Sequence, residues 1–186
     1  MDQMQVYRFS PLCKGALLHK EKNLLVCQVC DYHFFINPKP CNGVIVENEK
    51  GEILLVKRKF PPRKGYWDLP GGFIAPFEDF EASIKREVKE ELGVEITIGK
   101  IIGVYKDDYV YKDIRYPTLG IIACARLSTL LITPADDISG FAFFAKDKVQ
   151  SQKIAFPSIK QAIKEYLSQY TKKTAVCFSI HPSNPF

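Results

Sequence analysis

The sequence lacks any apolar run of membrane-spanning length, and its first twenty residues have neither the apolar core nor the small-residue cleavage site of a signal peptide. These absences argue against a membrane protein and a secreted protein, and they predict a cytoplasmic location. No internal repeat is present, which excludes a repeat architecture. With 186 residues, 46% of them hydrophobic, the chain is long enough for one domain with a core, and two full domains are not expected.

Acidic residues are in slight deficit, with 21 against 26 basic residues. The surplus lies at the two ends: the first forty residues carry 5 basic and 3 acidic residues, and residues 146–186 carry 7 and 2. A basic face at the end of a chain is usually solvated surface, so we do not expect a nucleic acid or a membrane as a partner.

The order of local patterns indicates a mixed α and β chain. A polar front segment ends at "INPKP", where two prolines mark a boundary. A β-hairpin of branched apolar residues follows, and a loop rich in proline and glycine leads to a helix. The predicted elements are the hairpin strands 42–47 and 52–58, the helix 80–92, strands at 94–107, 118–127 and 141–149, and a helix at 158–170 after Pro157.

The helix at 80–92 has the clearest periodicity in the chain. Its apolar residues recur at every fourth position, and Gly93 follows where a C-cap glycine is common. At about 100° per residue, Glu87, Glu90 and Glu91 share one face beside the apolar stripe. Like charges at this spacing destabilise a helix, and a divalent cation would remove the repulsion. Carboxylate oxygens suit Mg²⁺ or Mn²⁺, so the spacing leaves a metal site and a solvated acidic face as equal alternatives.

A longer motif separates these alternatives. Its fixed positions follow the pattern G-x5-E-x7-R-E-U-x-E-E-x-G-U, with U an apolar residue, and they are Gly72, Glu78, Arg86, Glu87, Val88, Glu90, Glu91, Gly93 and Val94. In this motif the chain resembles the Nudix hydrolases. The flanking stretches "LLVKRKF", "GYWDLPGG" and "FPSIKQAIKEYL" are similar to those of Nudix hydrolases that carry a short zinc ribbon.

The resemblance implies an α+β fold, the Nudix α/β/α sandwich with a mixed β-sheet, plus a small zinc-ribbon-like segment at the N-terminus. The corresponding domains are residues 1–40 for the degenerate ribbon, 41–171 for the Nudix domain and 172–186 for a C-terminal tail. The implied protein is an enzyme, a pyrophosphohydrolase that depends on Mg²⁺ or Mn²⁺ and in which water attacks a phosphorus of a nucleoside diphosphate derivative.

The resemblance also assigns roles to residues of the motif. Glu87 is the candidate base, Arg86 orients Glu87, and Glu78 pairs with Arg86. The implied metal ligands are Glu87, Glu90, Glu91 and the backbone carbonyl of Gly71. Three positions depart from the family or remain open. Phe77 stands where relatives often have glycine, and Asp136 and Asp137 occupy a late loop that supplies the base in some relatives, although capping or turn chemistry is the favoured interpretation.

Substrate recognition is assigned to Arg58, Trp67 and Gly72. An exposed strand end and core packing are the structural alternatives for the first two. The motif that follows the box in NADH pyrophosphatases is absent after Val94, which favours ADP-ribose or a similar derivative. The alternatives are an NADH or nucleoside triphosphate pyrophosphatase and, in another class, a non-catalytic module that senses a nucleotide or binds RNA. A homodimer is a further expectation.

Three cysteines near the N-terminus, Cys13, Cys27 and Cys30, stand at positions typical of a structural zinc site with two C-x2-C pairs. Ser10 replaces the first cysteine, and a serine hydroxyl is a poor zinc ligand at neutral pH. Either His19 or His33 completes a Cys3His site or the metal has been lost. Because neither histidine holds the register of the missing cysteine, loss is the favoured alternative.

Overall fold

A computed structural model of the chain describes residues 1–170; the predicted tail at 172–186 lies outside the described residues. The chain forms two compact units. The first combines Met1–Lys39 with Asp108–Thr118, and the second combines Pro40–Asp107 with the chain from Leu119 onward. None of the helices in the described part is both long and apolar enough to cross a membrane.

The first unit is built on a small antiparallel sheet of three strands in the order β1-β2-β3. Leu17, Leu25 and Cys27 are buried together, and aromatic residues such as Phe34 pack against them. The unit therefore has an apolar core of its own. Its elements are helix α1 (Gln3–Val6) and strands β1 (Leu17–Glu21), β2 (Leu24–Cys27) and β3 (His33–Phe35).

The second unit holds two sheets of three strands, with the orders β4-β8-β7 and β6-β5-β9. Its strands are β4 (Lys39–Val46), β5 (Ile53–Arg58), β6 (Trp67–Asp68), β7 (Ile96–Tyr111), β8 (Ile114–Leu127) and β9 (Ile138–Phe144). Strands β7 and β8 also run through residues 108–118 of the first unit. The helices are α2 (Phe80–Leu92), α3 (Lys146–Val149) and α4 (Pro157–Tyr170).

Strands β4 and β5 are apolar on both faces because each face lies against a different helix. Successive side chains of a strand alternate between faces, so Val44 and Val46 join one core while Ile45 joins the other. The first core contains residues of α2 such as Val88, and the second contains residues of α4 such as Ile163. This arrangement of helix, sheet and helix confirms the predicted α+β sandwich.

Helix α2 has the predicted bounds, and both of its ends are capped. The Asp79 side chain accepts a hydrogen bond from the Ala82 amide at 2.8 Å. Gly93 ends the helix in the left-handed conformation at φ 73°, where it donates its amide to the Lys89 carbonyl. In the apolar stripe Ile84, Val88 and Leu92 are fully buried, and Phe80 is partly buried. The helix therefore presents its acidic face in a fixed orientation.

The predicted hairpin of strands 42–47 and 52–58 is wrong as a paired ladder. Both strands form, but β4 belongs to one sheet and β5 to the other, and only an isolated antiparallel bridge joins Glu47 to Ile53. The cause is that β9 pairs along the whole of β5 and β6 occupies part of its other edge.

Two further boundaries differ from the prediction. Residues 108–117, which separate the two predicted strands 94–107 and 118–127, are largely strand: β7 continues to Tyr111 and β8 begins at Ile114 after a turn. Lys112 and Asp113 both have positive φ, 47° and 61°, as a type I′ turn requires, but neither is the glycine that would signal such a turn. Strand β9 ends at Phe144, and residues 146–149 form α3 because their charged side chains offer no alternating apolar face.

Candidate active site

A pocket lies where strand β5, strand β6, the glycine turn after β6, helix α2 and the loop before β9 converge. Three carboxylic acids face it, together with a single cation among the described residues that line it. With three acids and one guanidinium, the pocket carries an excess of two negative charges when all are ionised. The lining residues are Val56, Arg58, Asp68, Leu69, Gly71, Glu91, Asp137 and Ile138.

The glycine turn brings the backbone against the carboxylates of α2. The Gly71 amide donates to Glu91 Oε2 at 3.0 Å. A Cβ atom on Gly72 would lie 2.5 Å from the carboxylate carbon of Glu87, so a larger residue there would displace the Glu87 carboxylate. Gly71 has φ 141°, and a Cβ there would lie 2.5 Å from the Asn42 carbonyl oxygen. Gly71 is therefore required by its backbone conformation and by a backbone contact, and Gly72 leaves room for the carboxylate of Glu87.

Arg86 connects three acidic residues on the outer side of α2. Its Nε and Nη2 atoms each donate to one oxygen of Glu78 at 2.9 Å, a bidentate pair. Its Nη1 atom donates to Glu87 at 2.8 Å and to Glu90 at 2.9 Å. The Arg86 guanidinium lowers the pKa of Glu78 to about 2, so Glu78 is a carboxylate at neutral pH. Arg86 thus fixes the orientation of Glu87.

The three glutamates of the motif lie on one helix face, but their oxygens do not meet at one point. Glu91 is buried and turns towards Gly71, whereas Glu87 and Glu90 turn towards Arg86. In the part of the chain that the structure describes, the only group of three ligand atoms within 4.8 Å of one another consists of cysteines. Joint coordination of one ion by the glutamates therefore requires their side chains to turn.

Burial and mutual repulsion act on the acids of the pocket. Burial raises the pKa of Glu91 well above its usual range, and the neighbouring Asp137 carboxyl raises it further. Burial raises the pKa of Asp68 to about 6, although the Arg58 guanidinium, 3.0 Å away, opposes the shift. Burial also raises the pKa of Glu87. Each shift has the direction that burial produces in a carboxyl group.

These donors fit Mg²⁺ or Mn²⁺. Hard divalent cations favour carboxylate and carbonyl oxygens, which Glu87, Glu90, Glu91 and the Gly71 backbone supply. Buried Glu91 lies beside the exposed Asp137, and no cationic side chain is hydrogen-bonded to Glu91 among the described contacts. A cation bound there would offset the repulsion between the two carboxyls.

The predicted substrate residues are placed differently from one another. Arg58 lines the pocket, where Asp68 and the Pro62 carbonyl hold its guanidinium. Gly72 lies against Glu87. Trp67 packs edge-on against Phe144 in the core that contains α4, on the opposite side of β6 from Asp68. Trp67 does not line the pocket.

The two aspartates of the loop before β9 have different surroundings, because only Asp137 lines the pocket. Asp136 has φ 51°, and its carbonyl accepts from Lys59 Nζ at 3.0 Å, which is a turn role. Asp137 lines the pocket beside Glu91, and its carboxyl raises the pKa of Glu91. Phe77, in the loop before α2, takes the left-handed conformation at φ 67° with a fully exposed side chain.

The three N-terminal cysteines lie together in the first unit. Cys13 Sγ is 3.5 Å from Cys27 Sγ and 3.2 Å from Cys30 Sγ. Ser10 Oγ, buried, is 3.6 Å from Cys30 Sγ, so the serine takes the fourth position itself. Neither His19 nor His33 belongs to the group within the described chain, and His33 contacts Asp31 instead. Backbone amides lower the pKa of the Cys27 thiol to about 7.

Three polar residues of the site were missed by the sequence analysis. Asp68 ends the short strand β6 and lies in the stretch "GYWDLPGG", but the resemblance assigned no role to it. Asn42 and Ser83 are buried and hydrogen-bonded to each other at 2.8 Å. The one available signal for Asn42 was a polar residue at the start of an otherwise apolar strand.

The geometry defines a class of protein: an α/β/α sandwich with an acidic helix that faces a glycine turn. A family model described as the NUDIX domain matches residues 38–166. The chain therefore belongs to the NUDIX family and is an enzyme of this hydrolase family.

Individual relatives agree with this assignment. The chain is 32% identical over 136 residues to an ADP-ribose pyrophosphatase of Methanocaldococcus jannaschii, which covers 73% of this chain and 77% of the relative. It is 33% identical over 97 residues to the NAD-capped RNA hydrolase NudC of Haemophilus influenzae, covering 50% of this chain and 36% of that protein. In fold it is similar to the crystal structure of a NUDIX hydrolase from Nitrosomonas europaea, with a TM-score of 0.75, 24% identity and coverage of 90% and 94%.

Proposed function

We propose that the enzyme hydrolyses the pyrophosphate bond of a nucleoside diphosphate linked to another moiety, with ADP-ribose or a similar derivative as its substrate. The substrate class is supported by the relative from M. jannaschii, which aligns with about three-quarters of both chains. The observation that carries the proposal is the acidic pocket in which Gly71 binds Glu91, because it provides the oxygen donors that a metal-assisted hydrolysis needs.

We assign the metal site to Glu87, Glu90, Glu91 and the Gly71 carbonyl. A bound Mg²⁺ or Mn²⁺ would neutralise the charge of the pyrophosphate and lower the pKa of the attacking water. Glu87 accepts the proton of that water, and Arg86 holds the Glu87 carboxylate in position. Glu78 in turn holds Arg86 through the bidentate contact.

The reaction adds water to one phosphorus and breaks the bond from that phosphorus to the bridging oxygen. The bridging oxygen leaves with the other phosphate, and the proton taken from water is released. ADP-ribose would give AMP and ribose 5-phosphate. Asp137 is the second candidate for the base, since its carboxyl faces the same pocket. Arg58 and Gly72 are assigned to substrate binding, and Trp67 supports β6 from the opposite face.

A substrate panel tests the proposal. Purified protein with Mg²⁺ is incubated with ADP-ribose, NADH, NAD-capped RNA, FAD, dinucleoside polyphosphates and nucleoside triphosphates, and the products are identified by mass. We expect ADP-ribose to be cleaved to two monophosphates. Hydrolysis of nucleoside triphosphates alone would contradict the substrate class, and no hydrolysis of any compound would favour a nucleotide-sensing module. The cytoplasmic location and the homodimer stay predictions.

A further inference from the structure

Asn42, within strand β4, bonds to the glycine turn through both its backbone and its side chain. Its backbone amide donates to the Gly72 carbonyl at 2.8 Å. Its side-chain oxygen accepts from the Gly72 amide at 3.2 Å, and its side-chain nitrogen donates to Ser83 Oγ at 2.8 Å. Asn42 and Ser83 are both buried. The amide side chain therefore links strand β4, the glycine turn and helix α2.

The contact with the Gly72 amide has a consequence for Gly71. The Gly71 carbonyl and the Gly72 amide belong to the same planar peptide unit, and in a trans peptide they point in opposite directions. Holding the Gly72 amide against Asn42 therefore fixes the direction of the Gly71 carbonyl oxygen, away from Asn42. The same turn presents the Gly71 amide to Glu91.

The contact with Ser83 fixes the turn relative to the helix that carries the glutamates. Ser83 lies one helical turn before Glu87, on the buried side of α2. Its hydroxyl also donates to the Phe73 carbonyl at 3.5 Å and accepts from Arg86 at 3.4 Å. The network thus ties both ends of the glycine turn to the helix and to the arginine that orients Glu87.

We propose that Asn42, supported by Ser83, is a positioning residue that holds the Gly71 carbonyl and the α2 carboxylates in register for a divalent cation. The inference rests on the proposed function, because it assumes that these oxygens bind the metal. Residues that orient metal ligands without touching the ion typically contribute tenfold to a hundredfold to metal affinity or activity.

The test compares Asn42→Ala with Asn48→Ala. Asn48 is a matched control, since its side chain also makes several hydrogen bonds, to Glu52 and to the Lys50 amide, in a turn of the same unit. Binding of Mn²⁺ to the substrate-free proteins is measured by electron paramagnetic resonance, and hydrolysis is measured as a function of Mn²⁺ concentration. Folding is checked by circular dichroism.

We expect Asn42→Ala to weaken Mn²⁺ binding by at least tenfold and to lower kcat, with little change in the KM for substrate at saturating metal. Asn48→Ala should bind Mn²⁺ like the wild type. Ser83→Ala keeps the hydrogen bond from the Gly72 amide to Asn42 and should weaken Mn²⁺ binding less than Asn42→Ala does. The double variant should bind Mn²⁺ about as weakly as Asn42→Ala alone.

Wild-type Mn²⁺ affinity in folded Asn42→Ala overturns the inference while leaving the proposed function intact. If Asn42→Ala does not fold, the Ser83→Ala variant decides, and unchanged Mn²⁺ affinity there overturns the inference. A wild-type protein that neither binds Mn²⁺ nor hydrolyses a nucleoside diphosphate derivative overturns both proposals.

Discussion

Burial of Glu91 favours the neutral carboxyl group, whereas the proposed metal binding requires the ionised carboxylate. A buried carboxylate beside a second carboxyl destabilises the metal-free protein unless one of them is protonated. We predict that Glu91→Gln folds normally and loses hydrolysis by about a hundredfold or more, the scale expected when a charge-stabilising contact is removed. The amide is nearly isosteric, can accept from the Gly71 amide and can donate to Asp137. Circular dichroism and turnover with saturating Mg²⁺ measure the two effects.

Glu81→Gln is the control for this variant. Glu81 lies on the same helix, exposed, and pairs with Lys85 at 3.3 Å across one turn. Exposed pairs of this kind contribute a few tenths of a kcal/mol, so activity and stability should both stay near wild type. Equal activity in the two folded variants would show that the Glu91 carboxylate is not needed for hydrolysis.

Phe77 is a second residue whose conformation has a measurable consequence. A residue with a Cβ atom in the left-handed region costs about 1 kcal/mol, and the exposed ring offers no burial to offset it. We predict that Phe77→Gly is more stable than Phe77→Ala by about 1 kcal/mol in denaturant unfolding. Both variants lose the ring, so the difference between their free energies of unfolding reports the cost of the backbone conformation. A difference near zero would mean that the loop relaxes at no cost.

At the scale of elements, helix α2 was predictable because every local signal agreed. The apolar stripe, the cap and the terminal glycine all depend on neighbours within four residues. Strand pairing was not predictable in the same way. Strand β5 pairs with β9, whose residues lie about ninety positions further along the chain. The turn at Lys112 and Asp113 was missed because it lacks the glycine that usually marks two successive residues at positive φ.

The N-terminal thiol cluster gives a prediction for the first unit. We predict that its folding does not depend on a metal, because Leu17, Leu25 and aromatic neighbours form a core without one. Chelator-treated protein should keep its circular dichroism spectrum and its melting temperature. One tightly held zinc per chain in elemental analysis, lost together with cooperative unfolding, would contradict this.

A comparison variant sharpens the measurement. Ser10 Oγ lies 3.6 Å from Cys30 Sγ. Thiolates around a tetrahedral zinc, with Zn–S bonds near 2.3 Å, lie about 3.8 Å apart. Ser10→Cys should therefore bind zinc more tightly than the wild type, whereas Ser151→Cys, on an exposed turn of the second unit, should not.

At the scale of the whole molecule, the sequence predicted the site residues that belong to one motif. It did not predict the residues that reach the site from other parts of the chain. The glutamates, Arg86 and Gly71 lie within 21 consecutive residues. Asn42 and Asp137 reach the same site from strand β4 and from the loop before β9. Their positions follow from the sandwich, in which both cores form around β4 and β5, and no local pattern encodes that convergence.

Metal binding should therefore be visible as a change in the stability of the whole fold. A ligand that binds only the folded protein stabilises it by about 2.7 kcal/mol at a concentration one hundred times its Kd. For a chain of this size we predict that Mn²⁺ at that concentration raises the melting temperature by about 5 to 10 °C relative to sodium chloride of equal ionic strength. Glu91→Gln should lose most of the shift, and Glu81→Gln should keep it. Since Mn²⁺ favours oxygen ligands over thiolates, the cysteine cluster should contribute little. An equal shift in both variants would place the bound ion away from the acidic pocket and would contradict the assignment of Glu91 as a ligand.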